Sequence, residues 1–301
     1  MQQKYLGCLL GLACGDAVGT TVEFKAPGTF PPVTEMLGGG PFQLKAGQWT
    51  DDTSMALCLA ESLLGQGRFD ARDQMERYVR WWQEGYLSST GTCFDIGNTI
   101  QAALQRYIQT GEPFSGSAGP RTAGNGSIMR LAPVPMFYQA DLQLVIHYSA
   151  ESSKTTHRAQ EAVDACKLFG LMIALALGGS SKEEILMGTS TYLEPESLAP
   201  KIREIQAGGY HAKTESQIEG SGYVVKSLEA ALWCFSLTST YQEAVLKAVN
   251  LGRDADTTAA VVGQLAGAYY GLEALPEAWL EKLAMAEQIR SCAGKLYQQR
   301  A

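Results

Sequence analysis

Residues 50–64 read TDDTSMALCLAESLL, and the spacing within them sets the fold class. From Asp52 onward, Met55, Leu59 and Leu63 recur at steps of four, the period that lines one face of an α-helix, and Thr50 or Asp51 is available as its cap. Similar spacing marks 97–107, 157–177, 225–235, 240–251, 257–270 and 284–299. Glycine and proline clusters fall between these segments, where helix punctuation belongs. Alternating β-type runs are almost absent, apart from a candidate short hairpin around 31–44. The expectation is a mainly helical protein of about a dozen helices.

Composition agrees. The 301 residues are 46% apolar and 18% charged, the profile of a chain with a real core rather than a disordered one. Lys plus Arg total 24 against 31 for Asp plus Glu, a net charge of −7, so the positive field that nucleic acid or an anionic membrane requires is missing. Seven cysteines are scattered without CxxC or CxxH spacing, which points to a reducing compartment; a cytoplasmic location is expected. The apolar run 6–14 has only Lys4 upstream and meets Asp16 at once, a poor match to a signal peptide. The run 168–177 is too short to span a bilayer, and no transmembrane segment is expected. No internal repeat and no convincing boundary divides the chain, so one domain is expected over 1–301. The polar, Gly-rich stretch 207–222 is either a linker or a loop over a site; residues on both sides of it bear on one site, which favours the loop.

Two acidic stretches open helices. One is Thr50-Asp51-Asp52-Thr53; the other is Asp254-Ala255-Asp256-Thr257, before the apolar run AAVVGQLAGAYYG. Capping accounts for one carboxylate per helix start, because Asp and Thr accept orphan N–H bonds and suit the dipole. Two carboxylates with adjacent hydroxyls, twice over, suit hard divalent cations such as Mg²⁺ or Mn²⁺ equally well. Three dispersed histidines (147, 157, 211) give a zinc site little support.

Further features are individually modest. Small residues at 11, 13, 15, 17 and 19 allow close backbone approach, with Asp16 at or past a helix end and Glu23 four residues after Gly19. Gly124-Asn125-Gly126-Ser127-Ile128-Met129-Arg130 is a turn whose amides could cradle an anion. Asp95, in Asp95-Ile96-Gly97, is most simply a helix cap. His157, beside Thr155 and Thr156, is read first as a structural donor. Tyr223 is either a core aromatic or a ring over a ligand.

In order along the chain, G-x-A-x-GDA-x-G (11–19) with Glu23, TDDT (50–53), DIG (95–97), GNGSIMR (124–130), Thr156-His157, GYVV (222–225) with SLEAALW after it, and DADT (254–257) resemble the ADP-ribosylglycohydrolase family over about residues 5–271. That resemblance implies an all-α orthogonal bundle in a single domain, with two Mg²⁺ or Mn²⁺ ions in a central cleft. It implies Thr50, Asp51, Asp52, Asp254, Asp256 and Thr257 as metal ligands, and Glu23, Asp51, Asp52 and Asp95 as acidic groups near the scissile bond. It further implies Gly124, Asn125, Gly126 and Ser127 around a diphosphate, and His157 and Tyr223 lining an ADP-ribose pocket. Arg253 departs from the Gly-Gly-Asp form of vertebrate members, which bears on leaving-group preference.

The implied activity is metal-dependent hydrolysis of the bond between ADP-ribose and an acceptor: a protein side chain such as arginine, or a small conjugate. Two divalent ions would reverse the field of an acidic pocket toward a dianionic ligand. Alternatives are a hydrolase of small ADP-ribose or nucleotide conjugates, and a non-catalytic ADP-ribose binder. The binder reading expects gaps in the ligand set, and none occur. A monomer acting on an ADP-ribosylated protein or small conjugate, with neither nucleic acid nor membrane as partner, is expected.

Overall fold

A computed structural model describes residues 1–300. Among them the chain forms fourteen α-helices: α1 (Gln2–Gly19), α2 (Asp51–Gln66), α3 (Ala71–Glu84), α4 (Asn98–Thr110), α5 (Pro133–Phe137), α6 (Leu142–Lys154), α7 (Gln160–Gly178), α8 (Lys182–Met187), α9 (Pro200–Gln206), α10 (Val224–Leu237), α11 (Tyr241–Val249), α12 (Ala255–Tyr270), α13 (Glu277–Lys282) and α14 (Ala286–Gln299). No strand is present among the described residues, and the fold is all-α as its periodicity implies.

The expected hairpin at 31–44 shrinks to one antiparallel pair, Gly39 with Leu44. Gly38, Gly39 and Gly40 all take positive φ and curl the chain out of the extended region, while Pro31 and Pro32 offer no amide to a ladder. The helix expected from His157 begins instead at Gln160, because the Arg158 amide bonds the Ser117 carbonyl and ties the chain to a neighbouring loop.

The pair that positions the site is α1 against α12, the most extensive helix contact in the molecule. Gly7, Gly11, Gly15 and Gly19 repeat at steps of four and fall on one face of α1. A Cβ on Gly11 would lie 2.5 Å from the Gly263 carbonyl oxygen, and one on Gly263 would lie 2.2 Å from that of Gly11. Backbone therefore packs on backbone, and the two helices come closer than any side chain would permit. By length and hydropathy α1 could cross a membrane, but 94% of its apolar window is buried in this packing.

The polar stretch 207–222 is not an exposed linker. Tyr210 and Ile218 are buried, Lys213 pairs with Glu229, and Gly222 reaches the cleft described next.

Candidate active site

The close approach of α1 and α12 brings the last turn of one beside the first turn of the other. Asp16, fully buried, lies in the last turn of α1, at the helix end rather than past it, and turns toward α2. Its Oδ1 accepts from the Thr50 amide and hydroxyl, both at 2.9 Å. Its Oδ2 accepts from the Thr53 amide at 3.1 Å and hydroxyl at 2.6 Å. A carboxylate from another helix thus satisfies first-turn amides of α2, the work expected of a local cap. Thr50 is the N-cap residue, yet its side chain makes no capping bond. Its Oγ1 instead lies within hydrogen-bond reach of Asp16, Asp52 (3.2 Å) and Asp256 (3.4 Å). Sequence reading missed Asp16 because its burial depends on α12, some 240 residues away.

Oxygen atoms of Asp16, Asp52 and Asp256 all lie within 4.8 Å of one another, as do those of Glu23, Asp95 and Asp256. Asp256 is common to both triads, so the two acidic stretches do fold into one site. Thr257 Oγ1 approaches Asp52 at 3.4 Å, and Asn125 Nδ2 donates to Asp254 at 2.6 Å. Asp51 and Asp254 line the same cleft. Asp95 does not cap α4: that helix starts from Gly97 without a side-chain cap, and Asp95, at φ 59°, faces the cleft. Asp tolerates that left-handed conformation better than most residues.

This concentration of carboxylates carries no cationic counterweight. Among the described residues, none of the seven forms an ion pair with Lys, Arg or His. Buried oxygens Glu23 Oε2, Asp52 Oδ1 and Asp256 Oδ1 have no hydrogen-bond partner. Burial, reinforced by neighbouring carboxylates, pushes Glu23 up to about 10 and Asp95 to about 7. Burial raises Asp16 to about 6, with the Thr53 and Thr50 bonds working against it. Asp51, Asp52 and Asp256 rise well above the carboxylate range for the same two reasons. Unsatisfied buried carboxylates are costly, and oxygen-only donors with two threonine hydroxyls among them fit hard divalent cations.

Glu23, Asp95 and Asp256, with Asp51 and Asp254, line a cleft of about 470 Å³, and Asp16 and Asp52 lie buried beneath it. The 124–126 turn, backed by His157 and with Gly222 alongside, also lines it; Phe24, 67% exposed, stands at the rim. The turn is bonded to its neighbour through Asn125 N–H to Gly222 O and Val224 N–H to Ala123 O, both 3.0 Å. Amides of Gly124, Gly126 and Ser127 have no acceptor within the described protein.

Two sequence candidates stand away from the cleft wall. The Ser127 side chain accepts from Ser153 (2.9 Å) and Cys166 (3.3 Å) in a buried network, leaving only its backbone for the turn. The Tyr223 hydroxyl donates to Glu161 at 2.5 Å and accepts from Lys201 at 2.7 Å, which holds the phenol outside the lining. Thr50 and Asp52, fully buried, sit beneath the lining rather than on it.

The whole chain, residues 1–301, matches the model of the ADP-ribosylglycohydrolase family. It is 47% identical over 291 residues to ADP-ribosylarginine hydrolase Tri1 of Pseudomonas putida, spanning 97% of this chain and 77% of that one. Identity to ADP-ribosyl-[dinitrogen reductase] glycohydrolase of Rhodospirillum rubrum is 32% over 295 residues, 95% of this chain and 92% of the other. A solved ADP-ribosylglycohydrolase-related protein complex superposes with a TM-score of 0.89 at 44% identity, covering all of this chain and 99% of its own. Matched from end to end in sequence and in fold, the chain belongs to the ADP-ribosylglycohydrolase family.

Proposed function

We propose that this protein hydrolyses the glycosidic bond between ADP-ribose and an acceptor side chain, with arginine the favoured acceptor. Support for the acceptor comes from the 47% identity to an ADP-ribosylarginine hydrolase. Support for the chemistry comes above all from the sharing of Asp256 by two carboxylate triads. That arrangement suits two Mg²⁺ or Mn²⁺ ions, held by Thr50, Asp51, Asp52, Asp254, Asp256 and Thr257, with Asp16 bracing Thr50 from behind. When bound, such ions supply positive charge to an acidic pocket and lower the pKa of nearby water.

The chain's own groups do the rest. The diphosphate of ADP-ribose lies on the 124–126 turn, where free amides meet its charge. Glu23, buried and with Oε2 unpaired, orients the attacking water and accepts its proton at that oxygen. Water adds to the anomeric carbon as the bond to the guanidine nitrogen breaks, and the proton that Glu23 takes from the water passes to the leaving nitrogen, which returns Glu23 to its starting state. Positive charge grows on the ribose ring as that bond lengthens, and the carboxylates of Asp51 and Asp95 at the cleft wall stabilise it.

The test is a panel of ADP-ribosyl-arginine, ADP-ribosyl-serine and O-acetyl-ADP-ribose, each incubated with chelated protein and with protein resupplied with Mg²⁺ or Mn²⁺, with products identified by mass spectrometry. Release of ADP-ribose from the arginine conjugate only after metal is returned is the expected result. Release from the small ester alone would move the assignment to small conjugates, and full activity after rigorous chelation would remove the metals.

A further inference from the structure

Behind the 124–126 turn lies a guanidinium that the reaction outlined above does not use. Arg130 is completely buried, and none of its nitrogens meets a carboxylate. Nη1 donates to the Gly126 carbonyl at 2.8 Å; Nη2 donates to the hydroxyls of Thr156 at 2.7 Å and Thr155 at 3.4 Å. The group stacks over Tyr78, 4.7 Å from the ring centroid. A buried charge answered only by neutral oxygens, the Met55 thioether at 4.0 Å and a ring is expensive to keep.

The Thr156 hydroxyl carries the argument forward. Its Oγ1 has two polar neighbours, Arg130 Nη2 and, at 2.9 Å, His157 Nδ1. A guanidinium can only donate, so Oγ1 accepts from Arg130. The single hydroxyl proton of Thr156 then has one destination, His157 Nδ1. Were Nδ1 protonated, Oγ1 would accept twice, and a buried hydroxyl proton would be left with no acceptor. His157 Nδ1 is therefore bare, and the ring proton sits on Nε2. Burial, with the Arg130 charge behind Thr156 adding to it, also opposes a second ring proton and brings His157 down to about 3.

Nε2 forms no hydrogen bond within the described protein, and His157, only 2% exposed, lines the cleft. The ring lies against the glycine turn: a Cβ on Gly124 would fall 3.1 Å from Nε2, and one on Gly126 would fall 2.9 Å from Cε1.

We infer that Arg130 and Thr156 are positioning residues that fix His157 as its Nε2–H tautomer, so that the ring offers a donor, and never a proton acceptor, to an oxygen of the ADP-ribose bound over the 124–126 turn. The ligand in this statement rests on the function proposed above; the tautomer does not. His157 is thereby excluded as general base, leaving proton abstraction to the carboxylates of the same cleft.

The protein has three histidines, so ¹⁵N-histidine labelling gives a spectrum in which each ring can be followed by long-range ¹H–¹⁵N correlation, with the His157 signals identified by their loss in His157→Asn. The expected result is a protonated Nε2 and bare Nδ1 at His157 in the free protein. Thr156→Val shifts these signals toward a mixture of tautomers and raises the Kd for ADP-ribose about tenfold, the worth of one hydrogen bond. Thr156→Ser restores both. Arg130→Met reproduces the Thr156→Val spectrum if it folds; the Thr156 pair decides the matter if it does not. A wild-type Nδ1–H tautomer, or a Thr156→Val spectrum identical to wild type, overturns the inference. Failure of the wild type to bind ADP-ribose would refute the substrate reading while the spectrum still decides the tautomer.

Discussion

Replacing Gly263 by alanine tests the physical basis of the site without touching a polar atom. In the native packing, the new methyl would lie 2.2 Å from the Gly11 carbonyl oxygen, whereas ordinary contact begins at 3.4 Å, so α1 and α12 must part by more than 1 Å. The three nearest atoms, Gly11 O, Gly11 C and Leu12 N, all belong to backbone, and no rotamer change relieves the clash, which places the cost near the top of the overpacking range, about 3 kcal/mol. Alanine's better helix propensity returns about 1 kcal/mol. The expected net loss is about 2 kcal/mol, or a fall of about 3 °C in Tm for a protein of this size. Gly294 on α14 has open space where its Cβ would be, so Gly294→Ala should raise Tm by about 2 °C through propensity alone. Thermal unfolding followed by far-UV circular dichroism compares the two. A second readout is the increase in Tm on adding Mg²⁺, which should shrink in Gly263→Ala because Asp16 and Asp256 ride on the separating helices. A Gly263→Ala protein as stable as wild type, or more so, would refute the backbone-on-backbone account.

Asp52→Asn and Asp256→Asn should each abolish turnover and the Mg²⁺-dependent rise in Tm; retention of either property by Asp256→Asn would remove the shared ligand. Glu23→Gln should lower kcat far more than it weakens ADP-ribose binding by calorimetry, and unchanged turnover would take Glu23 out of the mechanism. Asp95 and Glu23 hold protons in the metal-free folded protein that the unfolded chain has already released near pH 4–5. Metal-free stability should therefore fall as pH rises from 5 to 8, and added Mg²⁺ should flatten the trend; a Tm under chelation that rises over this range would contradict it. Thr53→Val keeps the shape but removes a 2.6 Å bond to Asp16, and should cost about 1.5–3 kcal/mol in urea unfolding; a midpoint equal to wild type would show that Asp16 needs only the amides.

Much of this was legible in the sequence because it is local. The period of Met55, Leu59 and Leu63 gives α2, and the acidic starts of α2 and α12 stand out as more than capping needs. Charged α3 is harder to read, since its core stripe of Met75, Tyr78 and Trp81 is interrupted by arginines and glutamates. The site's deeper shell is set by distant partners. Asp16 counts as a helix end until α12 covers it, Asp95 as a cap until its left-handed backbone turns it to the cleft, and Arg130 as the tail of an apolar turn until Thr156 is seen beside it. The side chains of Tyr223 and Ser127 are placed by distant partners too: Glu161 and Cys166, 62 and 39 residues away in sequence, hold them out of the cleft lining, while the Ser127 amide stays in the turn.

The partnership of α1 with α12 has a cost in time. Gly19 ends one helix and Ala255 begins the other, so at bacterial-to-eukaryotic rates of about 5–20 residues per second the ribosome needs about 12–47 s to deliver the partner after α1 is made. Throughout that interval the nascent chain carries an uncovered apolar helix with a glycine face that matches nothing yet synthesised. Chaperones that shield emerging hydrophobic segments should hold this protein until translation is nearly complete, and the acidic starts of α2 and α12 can meet only after release.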